Sequence, residues 1–209
     1  MTDACAMLIA VMLTAASPAR AGRLTSVDPV THALAERLHA TGRAEVQIER
    51  LSLDPISGRT VAVRGELVLE PPDRAALEFP ATGERVTMRS DGGEWLQPGL
   101  RQLVRLGAGD AALASRWWEL LVRSSSPGFG ARRWGERRYR VIAFARGGLA
   151  ADSANIMLAA DGLPLRLEIE ESPGSREMYR FRDWRFARPR GREGFVIRPP
   201  RDFEVVRLH

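Results

Sequence analysis

The side chains that most often carry out chemistry are sparse in this 209-residue chain, and they are not spaced for a reaction. Its three histidines are His32, His39 and His209. A protein zinc site needs three or four converging ligands, and the sequence places no cysteine or acid pattern beside these histidines. A serine hydrolase would need a Gly-x-Ser-x-Gly turn, which the sequence lacks. We therefore expect neither a metal centre nor a hydrolase triad.

Two other clusters have a chemical and a plainer interpretation. Glu168, Glu170 and Glu171 could form a catalytic carboxylate pair, but a solvated strand face explains them more simply. Residues 180–186 alternate arginines with aromatic residues, as in sheets that stack nucleic-acid bases. Outward arginines and inward aromatics explain that pattern better. With no phosphate-binding glycine motif after a strand, we expect no enzyme, no cofactor and no nucleic-acid partner.

The composition is that of a globular protein with a basic charge balance. Hydrophobic residues make up 44% and the formal net charge is +5, and every basic residue is an arginine. Because acids and arginines are interleaved along the chain, a solvated surface is favoured over a dedicated anionic partner.

The N-terminal segment, residues 1–21, resembles a signal peptide. Its apolar run is too short to span a bilayer comfortably, and Ala19 and Ala21 provide the small residues that a signal peptidase requires. We predict cleavage after Ala21, which also removes Cys5, and a soluble mature protein, residues 22–209, in the periplasm. A buried helix is the alternative interpretation of this run.

Two helices are predicted from apolar spacing and end signals. The first begins at Ser26 or Asp28, has Pro29 in its first turn and ends at Gly42. The second follows Asp110 as a cap and runs to residue 122 between glycine-rich connections, which suits a movable lid. The predicted apolar stripes comprise Val30, Ala33, Leu34 and Leu38 in the first helix and Leu113, Trp117, Leu120 and Leu121 in the second.

Most of the remaining chain alternates apolar and polar residues with the period of a strand. The alternation predicts strands at 61–69, 75–79, 137–146, 153–160, 164–171 and 177–188, with others near 46–53, 86–88 and 195–197. Asp91-Gly92 predicts a tight turn. Parity changes predict one bulge near Arg50 and another near Arg182-Asp183. The result is a mainly β (α+β) domain whose antiparallel sheet has one apolar face.

The order of several landmarks resembles that of the LolA-like periplasmic lipoprotein carrier family over roughly residues 27–206. The landmarks are the glycine-containing strand from Gly65 to Pro72, Ser90-Asp91-Gly92 with Trp95 after it, Pro98 followed by Gln102, Pro164 before Leu165, Leu167 and Ile169, and the closing segment 195–200. In family carriers, the residue before the proline that ends the glycine-containing strand is often an arginine, and this arginine helps to hold the lid to the barrel. In this chain that position is Pro71.

The resemblance implies an incomplete antiparallel β-barrel whose open mouth is covered by helices, with acyl chains bound between them. It also implies transfer of lipoproteins or related lipids from an inner-membrane donor complex to an outer-membrane acceptor, and we expect a monomer. The candidate cavity residues are Leu34, Leu38, Leu67, Leu69, Leu77, Phe79, Val86, Met88, Trp95, Trp117, Leu120, Leu121, Leu167, Ile169 and Phe181.

Three alternatives share this fold. A receptor-type acceptor would need a lipidated N-terminal cysteine, and the predicted mature chain has no cysteine. A sensor of mislocalised lipoproteins would usually carry a further domain or an anchor. An exported structural domain would have a filled core and no ligand.

Overall fold

The structure is a computed structural model that describes residues 24–53, 58–122, 128–144, 152–171 and 175–208. The side chains of residues 53, 112–115, 171 and 175 are not described. The predicted signal segment, residues 54–57 and most of the connection after the second helix lie outside these ranges.

Within the described ranges the chain forms two α-helices, two short 3₁₀ helices and twelve strands. They are α1 (Asp28–Thr41), β1 (Arg43–Leu53), β2 (Thr60–Glu70), β3 (Arg74–Phe79), β4 (Glu84–Arg89), β5 (Gly92–Gln97), a 3₁₀ turn (Pro98–Leu100), β6 (Gln102–Leu106), α2 (Ala108–Val122), β7 (Phe129–Gly135), β8 (Arg138–Ala143), β9 (Ser153–Leu158), β10 (Pro164–Glu171), β11 (Ser175–Ala187), a second 3₁₀ turn (Arg192–Phe195) and β12 (Glu204–Arg207).

All twelve strands belong to one open sheet in the order β12-β6-β5-β4-β3-β2-β1-β11-β10-β9-β8-β7. Neighbours are antiparallel except β12, which runs parallel to β6. The sheet curves into an incomplete barrel whose concave side is covered by the two α-helices. This confirms the predicted fold class, a mainly β half-barrel with helices over its mouth.

Helix α1 closely follows the signals in its sequence. Gly42 ends it in the left-handed conformation at φ 91°, and its N–H donates to the carbonyl of Leu38. The helix begins one residue after Val27, and the Ser26 hydroxyl accepts the N–H of Asp28 at 3.2 Å. Helix α2 begins at Ala108, so the prediction of Asp110 as its cap is wrong. Asp110 instead lies in the first turn, where a carboxylate favours the helix dipole.

Of the two predicted β-bulges, one is confirmed and the other is wrong. Strand β11 carries an extra residue opposite β1, and Asp183 there has φ 57°, which confirms the bulge near Arg182-Asp183. The bulge near Arg50 is wrong, because the pairing of β1 with β2 runs unbroken from Ala44 to Leu53. Arg50 therefore keeps the parity of the apolar residues that face the helices.

The C-terminal segment also differs from its prediction. Residues 195–197 form no strand: Phe195 ends a 3₁₀ turn, and Ile197 donates its N–H to the Glu94 carboxylate at 2.7 Å. Both side chains are buried against the convex side of the sheet, which gives them the alternation of a strand without a strand partner. Ile197 joins Leu96 and Leu103 in a small second core.

Candidate ligand-binding face

The candidate site is the concave face of the sheet, where apolar residues stand directly opposite one another across several strands. Val46 lies opposite Leu67, Leu67 opposite Leu77, and Leu77 opposite Val86, which makes one row across β1 to β4. The other half of the sheet continues the surface through a second row, Tyr179, Leu167, Ile156 and Tyr139. Because facing residues in antiparallel strands share a side, these rows form one continuous apolar face.

Both helices lie on this face and close it in the structure. Helix α1 adds Leu34 and Leu38, and helix α2 adds Leu120 and Leu121, all at most 1% exposed. The two tryptophans of α2 contact different strands of the sheet, Trp118 on β11 and Trp117 on β7. The Trp118 ring meets Tyr179 edge-on at 4.9 Å, and the Trp117 ring lies 5.6 Å from Phe129.

The structure brings fourteen of the fifteen candidate residues into a single core cluster. Thirteen are buried, and Val86 is partly buried against them. The side chain of Leu113, predicted to lie on the same stripe, is outside the described side chains. The cluster members from the candidate set are Leu34, Leu38, Leu67, Leu69, Leu77, Phe79, Val86, Met88, Trp117, Leu120, Leu121, Leu167, Ile169 and Phe181.

Trp95 is the one candidate outside that cluster. It lies opposite Val86 and therefore on the concave side, but it is 38% exposed beyond the helices. Its indole N–H donates to the Glu84 carboxylate at 3.0 Å. Trp95 thus marks the end of the apolar face where polar groups begin.

A charged pair crosses the face at that end, and sequence reasoning missed it. The Arg50 guanidinium on β1 donates to both carboxylate oxygens of Glu84 on β4, at 2.7 and 3.3 Å, and lies 4.2 Å from the centre of the Phe79 ring. Burial opposes the charge of Arg50, but the hydrogen bonds and negative charge of Glu84 outweigh it, so the pKa of the guanidinium is raised. We call this pair the Arg50–Glu84 bridge.

The bridge depends on a glycine that lets an aromatic ring lie close to the sheet. A Cβ atom at Gly65 would stand 2.7 Å from Cδ1 of Phe79 and 2.4 Å from the carbonyl oxygen of Glu78. With no side chain there, the Phe79 ring settles over β2 and presents its face to Arg50. A glycine inside an otherwise apolar strand was the available sequence signal for such a close approach.

Tyr179 lies beside the bridge and is 5% exposed. Burial is the main reason that the pKa of its hydroxyl is raised well above the usual value, and the nearby Glu177 carboxylate adds to the effect. The hydroxyl donates to Glu177 at 2.7 Å. The polar groups at this end of the face are therefore mutually paired, while the rest of the face offers only apolar surface.

No three His, Cys, Asp or Glu side chains of the described residues are grouped to hold a metal ion. None of the described helices is both long enough and apolar enough to cross a bilayer. What the face provides is a broad apolar surface under two helices.

Comparison with known proteins finds similar folds at low sequence identity. No family model and no curated protein sequence matches the chain. The fold is similar to an uncharacterised conserved protein from Thermus thermophilus (17% identity, 87% of this chain and 96% of that one, TM-score 0.45). It is also similar to a LolA superfamily protein from Nitrosomonas europaea (10% identity, 83% and 98%, TM-score 0.46).

A third similar structure is a domain from Vibrio parahaemolyticus assigned to outer-membrane lipoprotein sorting (12% identity, 81% and 97%, TM-score 0.42). These likenesses, all at 17% identity or less, concern the fold alone.

Proposed function

We propose that this protein is a periplasmic carrier that binds the acyl chains of lipoproteins or related lipids and shields them during transfer to the outer membrane. The observation that carries the proposal is the continuous apolar face under two separate helices. Binding would occur between that face and the helices, without a cofactor and without catalysis. The donor would be an inner-membrane complex, the acceptor an outer-membrane protein, and the carrier a monomer.

The physical basis is the match between an acyl chain and a surface that is apolar except at one end, where the polar groups are paired with one another. Each methylene moved from water to such a surface contributes about 0.8 kcal/mol, so a chain of ordinary length needs no specific polar contact. In the structure the helices provide an apolar cover for this face. A bound chain would replace part of the contact between helix and sheet, which keeps the apolar face out of water in both states.

A filled core without a ligand is the competing interpretation, and one observation favours it. Leu34, Leu67 and Leu120 have no exposed surface in this structure, so a ligand can enter only if α1 or α2 moves. Such a protein would be a structural domain of the same fold. Movement of α2 on adding ligand therefore separates the two functions.

The decisive experiment adds a fluorescent fatty acid to delipidated protein and follows α2 through its tryptophans. Replacing Trp95, Trp134 and Trp184 by phenylalanine leaves Trp117 and Trp118 as reporters. We expect saturable probe binding and a shift in the emission of the two reporters. The proposal would be overturned if the wild-type protein did not bind the probe. It would also be overturned if adding the probe changed neither the tryptophan emission nor the hydrogen exchange of α2.

Space-filling variants then locate the bound chain. Leu167→Phe adds bulk at a buried position on the concave face, and Leu165→Phe is the matched control at a neighbouring position that is 41% exposed. We expect Leu167→Phe to weaken probe binding about tenfold, since added bulk in a packed site costs roughly 1 to 3 kcal/mol. Leu165→Phe should bind as the wild type does. Equal affinities for both variants would place the ligand elsewhere.

Export is the second part of the proposal. Processing after Ala21 predicts a mature protein that begins at Gly22, because the small residues at positions 19 and 21 follow an apolar run. N-terminal sequencing of protein from the periplasmic fraction checks this. An intact product that begins at Met1 and stays in the cytoplasm would contradict it.

A further inference from the structure

A basic and aromatic surface lies on the convex side of the sheet, remote from the apolar face. The β7–β8 turn presents Trp134, which is 55% exposed, and the Arg138 guanidinium lies 5.5 Å from the centre of the indole ring. Arg138 stands opposite Met157, and Met157 opposite Arg166, so the two arginines flank one methionine across three strands.

The arginines around Trp134 outnumber the acids. We define the β7–β8 basic surface as Arg132, Trp134, Arg137, Arg138 and Arg166. Four guanidinium groups face two carboxylates here: Arg166 pairs with Glu168 at 3.0 Å and Arg137 with Glu136 at 3.7 Å. Among the described residues, Arg132 and Arg138 have no acidic group within ion-pair distance.

Arginines elsewhere on the convex face lie against carboxylates, and they share them. Arg64, Arg180 and Arg182 are all within 4.0 Å of Glu49, and Arg140 and Arg176 both pair with Glu170. The β7–β8 basic surface differs in that its unpaired arginines, about two positive charges, lie beside an exposed tryptophan.

A pocket of about 210 Å³ opens within this surface. Its lining residues are Trp134, Arg138, Asn155, Ile156, Met157, Arg166 and Glu168. The pocket thus combines two arginines, one of them paired with the Glu168 carboxylate, with one amide and an apolar wall. A phosphate group beside an apolar chain has the complementary chemistry, because guanidinium groups bind phosphate oxygens through paired N–H donors.

We propose that the β7–β8 basic surface docks the protein on an anionic phospholipid bilayer, with a lipid phosphate at Arg138 and Arg166 and the Trp134 ring at the level of the head groups. A tryptophan suits this boundary since its ring is apolar and its N–H is polar. This surface has one indole, set beside a methionine, which favours a lipid boundary over nucleic acid, since nucleic acid is typically bound by several stacking rings. Docking at this surface is independent of acyl binding on the opposite face.

The test measures co-sedimentation of the full-length mature protein with vesicles of phosphatidylglycerol and phosphatidylcholine, and with phosphatidylcholine alone. We expect binding to the anionic vesicles that weakens as salt is raised, and quenching of Trp134 by lipids brominated near the head group. Arg138→Gln should weaken binding about fivefold, since that is the contribution of one cation near an anionic membrane. Trp134→Ala should abolish the quenching. Both positions are exposed, so the variants should fold.

The matched control is Arg201→Gln, an exposed arginine that precedes β12 at the opposite edge of the sheet. Equal loss with Arg201→Gln and Arg138→Gln would overturn the proposal, as would equal binding to both vesicle types. Displacement by millimolar inorganic phosphate alone would identify a phosphate site rather than a membrane surface. If the protein binds a DNA duplex as tightly as it binds the vesicles, and Trp134→Ala does not weaken this DNA binding, the surface is a general polyanion site. Displacement by phosphate and such DNA binding would each overturn the docking proposal.

Discussion

Replacing Leu69 by alanine should lower the free energy of unfolding by about 3 to 4 kcal/mol, as measured by urea denaturation. Leu69 has no exposed surface, and it stands opposite Ala44 on one side and Ala75 on the other. Neither alanine can extend into the space that the lost side chain leaves, so the cavity would persist. Cavities that cannot collapse account for the upper part of the range measured for such substitutions.

Leu165→Ala is the matched control, because Leu165 lies on β10 and is 41% exposed. We expect a loss below about 0.5 kcal/mol for this surface substitution. If the two variants lose equal stability, the concave face is not the centre of the hydrophobic core. The same two proteins can be titrated with the fluorescent fatty acid, which separates the effect of Leu69 on folding from its effect on binding.

The sequence predicted the strands that have one apolar face and are joined by short turns. Strands β2 to β4 alternate apolar and polar residues, and the alternation places Leu67, Leu77 and Val86 on the same face, as the register confirms. The bulge at Asp183 was predictable because Phe181 and Trp184 differ in parity on one strand. Local pattern and tertiary structure agree in these elements, so the pattern was sufficient.

Strands β6, β7 and β12 were missed because their pairing is not a local property. Strand β7 contains two glycines and two arginines. It lies at the edge of the sheet and pairs only with β8, so its polar side chains can remain in solvent. Strand β12 pairs in parallel with β6, about one hundred residues earlier in the chain. Such strands form because a neighbour supplies the hydrogen bonds, and their own sequence carries little of that information.

The Arg50–Glu84 bridge shows why the candidate site was predicted only in part. The rule that one strand face is apolar assigned Arg50 to a bulge, since a charged residue would not face the core. The rule fails when a partner from a distant strand neutralises the charge and an aromatic ring covers it. Glu84 lies three strands away across the sheet, a relation that appears only in the folded protein.

Glu70 is a buried acid whose role also emerges only from the fold. Its carboxylate has no exposed surface and accepts the backbone N–H groups of Arg190 and Gly191, at 2.7 and 3.3 Å. Arg74 completes its set of partners at 2.7 Å. The carboxylate therefore ties the start of the C-terminal segment to the end of β2, before Phe195 packs on the convex side.

Replacing Glu70 by alanine should lower the free energy of unfolding by about 3 kcal/mol, because two backbone donors and the Arg74 guanidinium would lose a buried acceptor together. The matched control is Glu78→Ala, whose side chain is 54% exposed and 3.6 Å from Arg85, and which should cost less than about 0.5 kcal/mol. Hydrogen exchange locates the effect: the amides of Arg190, Gly191 and Ile197 should lose protection in Glu70→Ala before the amides of β2 do. If protection is lost evenly along the chain, Glu70 supports the whole sheet and not the attachment of the C-terminal segment.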